Sequence, residues 1–237
     1  MNTSFYTASR GARTQQDKLN VISNNFANVN TYGYKAKSSV FQDLMYYNMR
    51  AGEGVATHLT SGTGTVLDHT NTNFSQSGFG DGIGGYDYAI SGDGFFMLRD
   101  PVTNQISYTR NGHFSLSRRA DGFYLVTDSN KLVLDEGRNP IRVQGGGTLQ
   151  GRPGVYSFAS TDGMQSAGDN EFIPVAKNGA PVLNREAKLL EGYLELSNVD
   201  MAQEMANTVE SSRAYSYVLK MVQSSDEIEQ TINSLRG

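Results

Sequence analysis

His58, His69 and His113 are the only imidazoles in a 237-residue chain that contains no cysteine. A zinc site or a nucleophile–histidine dyad needs such a ring on a rigid element beside a partner group. His58 and His69 lie in a Gly/Thr-rich stretch and His113 follows an Asn-Gly turn signal, so all three read as structural. Without cysteine there is no disulfide framework, thiolate metal site or thiol nucleophile. Asp87, Asp93, Asp121, Asp128 and Asp135 fall at turns or on outward strand positions, where Asp bonds its own local backbone. No two of them share an element in a way that suits acid–base work. Gly80-Asp81-Gly82-Ile83-Gly84-Gly85 matches GxGxxG but precedes a strand. Dinucleotide binding needs that loop between a strand and a helix, so it reads as a flexible lead into a β region. The expectation is no catalytic residue, no cofactor and no metal.

The cluster Asn24-Asn25-Phe26-Ala27-Asn28-Val29-Asn30 is different. Asparagine competes with the helical backbone for hydrogen bonds, so four in seven positions weaken a helix. Either the helix end frays there, or the amides donate and accept across closely packed helices, as polar register-setters do in coiled coils.

The elements that would position these residues are two long amphipathic helices. Phe5, Ala8, Ala12, Gln15, Leu19, Ile22, Phe26 and Val29 are spaced alternately by 3 and 4. Met201, Met205, Thr208, Ser212, Tyr215, Leu219 and Val222 keep that rhythm, and the stripe drifts on to Ile228, Ile232 and Leu235. A 3.5-residue period is the coiled-coil signature. The first helix is expected to begin near Thr3 or Ser4 and end near Asn28–Asn30, before Gly33. The last begins at Asp200, with Gln203 completing a capping box. A helix of 36 residues would reach ~54 Å, too long for the surface of a compact domain of this size.

Between the helices, residues 51–85 hold nine Gly and six Thr but only Glu53, Asp68 and Asp81 as charges, which suggests a linker or an extended arm. Phe41, Leu44 and Met45 suggest a short helix whose end packs Tyr46-Tyr47. From Tyr86 the pattern turns to β. Tyr86, Tyr88 and Ile90 alternate with Asp87, Ala89 and Ser91 as in a half-buried strand, Phe95–Leu98 is an apolar strand, and turns at Asn111-Gly112, Asp121-Gly122 and Asp128–Asn130 suggest an antiparallel meander or small barrel. Further strands are expected around Arg142–Val143, Val155–Phe158 and Phe172–Val175.

The fold class expected is therefore α+β. The domains are 1–46 and 191–237 as two helical parts of one inner coiled-coil domain, 47–85 as the arm, and 86–190 as an antiparallel β domain. A net charge of −4 and 19% charged residues disfavour a nucleic-acid binder. No apolar run approaches the ~20 residues that span a bilayer. Arg10, Arg13, Asp17 and Lys18 break the first helix too often for a cleaved secretory signal.

Ser23-Asn24-Asn25-Phe26-Ala27-Asn28-Val29-Asn30-Thr31-Tyr32-Gly33-Tyr34-Lys35 closely resembles the N-terminal motif ANN(L/I)AN-x-NT-x-G(Y/F)K of the flagellar axial proteins, the rod, hook and hook-associated subunits. Gly192-Tyr193-Leu194-Glu195-Leu196-Ser197-Asn198-Val199-Asp200, Glu204-Met205 and Arg213-Ala214-Tyr215 with Lys220 resemble their C-terminal signature. Ala89–Phe96, Tyr108–Phe114 and Gly122–Thr127 are similar to their strand motifs IxGxGFF, YTRxGxF and GxLVT. Ser212 and Val218 depart from the usual Gln and Asn, which bears on subtype rather than family. The chain has room for one β domain where hook subunits carry a further one, so the resemblance points to a rod subunit of the bacterial flagellum basal body.

That resemblance implies a self-assembling helical homo-oligomer that transmits torque and lines an export channel. Its implied partners are other rod subunits, the hook subunit, surrounding ring proteins and the flagellar type III export apparatus, reached without a cleaved signal. The expected interface residues are Leu19, Ile22, Asn24, Asn25, Phe26, Asn28, Asn198, Met205, Arg213, Tyr215 and Leu219. Two alternatives are a hook-type subunit and, in another class, a cell-wall-binding or cell-wall-degrading β module with helical anchors.

Overall fold

The computed structural model describes residues 3–44, 46–48, 60–119, 121–144 and 147–236. The chain is α+β, with one helix towards each end and an extensive antiparallel β region. It divides into two compact units. Unit one comprises Met1–Ala27, Lys37–Asn71 and Asp200–Gly237, and unit two comprises Asn28–Ala36 and Thr72–Val199.

In unit one, helix α1 spans Thr3–Ala27 and helix α2 spans Met201–Arg236. Asp200 caps α2, its Oδ1 accepting the Ala202 and Gln203 N–H groups at 2.9 and 3.2 Å. Those are two of the first-turn donors that a helix cannot satisfy internally. The Gln203 amide donates forward to Asn207 Oδ1 at 3.2 Å. The two helices run antiparallel. Ser4 Oγ lies 3.2 Å from Ser225 Oγ, Gly11 faces Val218, and Asn25 Nδ2 donates to Glu204 Oε1 at 2.9 Å. From 4 to 11 to 25 on α1, the partners fall from 225 to 218 to 204 on α2, so the register does not slip along the pair.

Two ribbons complete unit one. Lys37–Asp43 pairs with Thr65–Thr72, and Tyr46–Asn48 runs antiparallel to Thr60–Gly62. The short helix expected around Phe41 and Leu44 is thereby corrected. Phe41 lies on the first strand, Leu44 donates its N–H to Gly64 O, and Tyr46-Tyr47 begin the next strand. A helix that short is marginal alone, whereas the 65–72 strand supplies backbone partners for Val40-Phe41, residues suited to a pleated surface. Met45 and residues 51–59, with His58, lie outside the described residues. The described remainder of the Gly/Thr-rich stretch includes strands at Thr60–Gly62, Thr65–Thr72 and Phe79–Asp81.

Unit two is built on Phe95–Arg99, which lies within a ten-stranded antiparallel sheet. It pairs with Ile106–Thr109, Leu132–Val133 and Val155–Ser157. Side chains alternate along a strand. Phe96 and Leu98 accordingly join Tyr88, Ile90, Phe114, Leu125, Val133, Ile141 and Val155 on one face. Phe95 and Met97 join Tyr108, Leu134, Tyr156, Met164 and Phe172 on the other. Both faces are covered, so this strand reads as an unbroken apolar run.

Tyr88–Ser91 was expected to be half-buried, yet Tyr88, Ala89 and Ile90 are all buried where the strand pairs with Lys188–Glu191. The meander holds in part. Gly122 at φ 139° turns Ser115–Arg119 into Gly122–Val126, and Asn130 at φ 61° turns the chain into Leu132–Val133. Asn111-Gly112 closes no hairpin, since Ile106–Thr109 pairs with Glu171–Ile173 and Phe95–Arg99 instead. The glycine is needed there because a Cβ would sit 1.6 Å from the Tyr88 carbonyl oxygen.

Candidate functional site

The helix pair of unit one has a polar seam. Thr14, Asn25, Ser211 and Ser225 are buried along it, with Ile22 the buried aliphatic of α1. Asn25, 1% exposed, uses both ends of its amide. Nδ2 donates to Lys37 O at 2.7 Å as well as to Glu204 Oε1, and Oδ1 accepts the Lys37 N–H at 2.9 Å. Thr14 Oγ1 donates to Thr65 O at 2.9 Å, tying α1 to the ribbon. Gln15 Oε1, Glu204 Oε2 and Ser211 Oγ are buried with no hydrogen-bond partner among the described residues. Meanwhile α2 leaves Met205, Val209, Met221, Ile228, Ile232 and Leu235 more than half exposed. The helix turns its small and polar residues to α1 and its larger apolar ones to solvent.

Unit two contains a buried ionic clamp. Glu195, on the Tyr193–Glu195 strand, accepts at Oε1 from Lys35 Nζ at 2.8 Å and from the Ser77 N–H at 3.0 Å. Its Oε2 accepts from Arg110 at 3.2 Å. Lys35 donates further to Ser75 O, and Arg110 to Ile90 O and Gly92 O. All three charged residues are at most 2% exposed. Desolvation draws the Lys35 ammonium below its ordinary pKa against the pull of Glu195, and it lowers the Arg110 guanidinium in the same way. Gly33, at φ 67°, lets the 31–35 segment approach: a Cβ there would lie 2.5 Å from the Asn111 nitrogen. Asn198 closes the same region, accepting the Ala36 N–H at 2.7 Å and donating to Asn73 O at 2.8 Å.

Three family models match the chain. They are described as flagella basal body rod protein over residues 5–35, flagellar hook protein FlgE/F/G D1 domain over 89–150, and flagellar basal body rod FlgEFG protein C-terminal over 190–235. The flagellar basal-body rod protein FlgG of Buchnera aphidicola (subspecies Schizaphis graminum) is 33% identical, the alignment covering 99% of this chain and 100% of the relative. The proteins of the same description from Caulobacter vibrioides and Bacillus subtilis are 30% and 29% identical, with 98% and 100% of each chain covered. The chain belongs to the flagellar basal-body rod protein family.

In this rod-family chain the expected interface residues divide. Ile22 and Asn25 are buried in the helix pair, and Leu19, Phe26 and Tyr215 are half-buried. Asn24, Met205, Arg213 and Leu219 lie at the surface of unit one. In unit two, Asn28 accepts from Thr31 Oγ1 at 3.2 Å, and Asn198 is part of the clamp region. Sequence reasoning gave Lys35, Arg110 and Glu195 no role, although each stands inside a matched motif block. Only Glu195 stands on a strand, while Lys35 and Arg110 lie in loops, so no local pattern marked the set.

The other chemistry reads differently from expectation in one place. Asp87 is buried rather than outward. It accepts the Gly84 N–H at 2.6 Å and lies 2.8 Å from His113 Nδ1, the ring lying partly exposed. The GxGxxG stretch wraps this carboxylate: a Cβ on Gly82 would sit 2.7 Å from Asp87 Oδ2. Its glycines serve a close approach, not a flexible lead. His69 meets Asp68 at the surface. Among the described residues no group of three or more His, Asp or Glu could hold a metal, and no helix is long and apolar enough to cross a membrane.

Proposed function

We propose that this chain is a structural subunit of the bacterial flagellar basal-body rod, which self-assembles into a helical tube that transmits torque and encloses an export channel. Its work is mechanical, with no catalytic step. The observation that carries the reading is the exposed apolar side of α2. A chain of a rod family that holds Met205, Met221, Ile228 and Ile232 in water has a surface suited to burial against further copies. Each such side chain, once covered, contributes roughly 1.5–3 kcal/mol.

In this reading α1 and α2 form a coiled-coil-like inner domain, with residues 86–190 as the β domain and 47–85 as the segment leading to it. Other rod subunits, the hook subunit and the ring proteins are its neighbours. It reaches the cell-wall zone through the type III export apparatus. The rod is favoured over the hook because the full-length relatives carry rod names.

The test is assembly of Ile228→Ser/Ile232→Ser. The purified variant should keep the helix content of the parent chain, yet fail to form tubes in the electron microscope and fail to restore motility. Tubes and swimming at parental levels would sink the assignment of this face.

A further inference from the structure

Glu195 is the anion that both buried cations of unit two contact, and it lies 160 positions from Lys35 and 85 from Arg110. The remaining partners of the two cations are backbone carbonyls, which are dipoles and not countercharges. Arg110 Nε has no hydrogen-bond partner among the described residues, and the exposed Asp93 carboxylate adds only a smaller attraction to the guanidinium than Glu195 does. A buried cation stripped of its partner is among the costliest defects a core can hold. The segment bearing Glu195 also supplies backbone pairing. Tyr193–Glu195 runs antiparallel to Phe79–Asp81, Gly33 donates its N–H to Glu195 O at 2.8 Å, and Ser77 Oγ donates to Ser197 O at 2.9 Å.

We infer that Glu195 is a folding latch: unit two closes only when the 193–199 segment docks and brings its carboxylate between Lys35 and Arg110. The inference stands on this geometry and does not depend on the rod reading. Until the latch arrives, burying Lys35 and Arg110 together places two like charges in an apolar interior, so the sheet stays open to solvent. A chain supplied from its N-terminal end therefore keeps its β unit unlocked until nearly all of it is available.

Pulsed amide hydrogen exchange during refolding of the full chain tests this. The Leu134 N–H, which bonds Met97 O, and the Gly154 N–H, which bonds Leu134 O, report the sheet. The Gly33 and Ser77 N–H groups report the latch. In the parent chain all four should gain protection in one phase. Glu195→Gln should slow that phase, or lower the folded population, at least tenfold. The charge-free variant Lys35→Met/Arg110→Met/Glu195→Leu should protect Leu134 and Gly154 at the parental rate or faster, ahead of Gly33, which alone reports the latch there because the Ser77 N–H loses its carboxylate acceptor. The inference is overturned if the sheet amides of the parent chain are protected before Gly33 and Ser77, or if Glu195→Gln changes nothing. It is equally overturned if the charge-free variant leaves the sheet unprotected, since the segment would then act through packing alone.

Discussion

The helix seam of unit one and the sheet of unit two are held by opposite means. The seam meets through Ser4, Gly11, Asn25 and their partners Ser225, Val218 and Glu204, with little large apolar surface between them. The sheet buries Phe95, Phe96, Met97 and Leu98 completely and admits charge at few points, the clamp among them. Polar contacts fix register well but contribute modestly to stability, because each replaces a bond to water. Apolar burial stabilises strongly but without direction. Unit one is thus specified more than it is stabilised, and unit two carries its own core.

The contrast can be broken most forcefully at Phe96, whose side chain is inaccessible to solvent. Phe96→Ala should cost unit two about 3–5 kcal/mol. Urea titration followed by exchange of the Leu134 and Gly154 amides measures it, and a loss below ~1 kcal/mol would contradict a close-packed sheet.

Alkaline titration comes next in size. Burial pushes the Tyr108 phenol up to about 12, from 10.0 in a solvated chain. Between those values the folded state keeps a proton that the unfolded chain has released. Stability from this group is therefore whole below pH 10 and falls as pH rises through 12, by up to about 1.4 kcal/mol per pH unit. Tyr108→Phe should flatten part of the decline. Burial raises Tyr156 and Tyr88 as well, so their share should persist. An unchanged alkaline slope in Tyr108→Phe would refute the assignment.

In unit one the effects shrink. Asn25→Ala leaves the Lys37 N–H and Glu204 Oε1 without their amide partner, so the helix pair should lose about 1–3 kcal/mol, read from exchange of α1 amides around Ile22. Ser211→Ala removes a buried hydroxyl that has no hydrogen-bond partner among the described residues, and should be neutral or stabilising by a few tenths of a kcal/mol. A marked loss in Ser211→Ala would mean that the hydroxyl is bonded in solution.

Much of the architecture was legible in local patterns. The 3–4 spacing marked both helices, Asp200 marked the start of α2, and Asp121-Gly122 and Asn130 marked turns that do form. The 3–4 spacing runs through Met205, Ser212 and Leu219, whereas the side turned to α1 carries Glu204, Ser211 and Val218. A periodicity reading follows the apolar stripe, and in this helix that stripe is the solvent side. Asn25, from the asparagine cluster, bonds across the helix pair to Glu204.

The sequence by itself determined what short-range sterics and capping dictate: two long helices, an apolar central strand, hairpin turns at Gly122 and Asn130, and motif blocks specific enough to place the chain in its family. Only the tertiary structure decided which polar groups go inside. Lys35, Arg110 and Glu195 lie far apart in the chain and carry no local pattern, yet they share one buried site. Asp87 looked like a turn residue until Gly82, Gly84 and His113 closed around it. The physical reason is that backbone conformation depends on near neighbours, whereas the cost of burying a charge depends on whichever distant residue arrives to neutralise it.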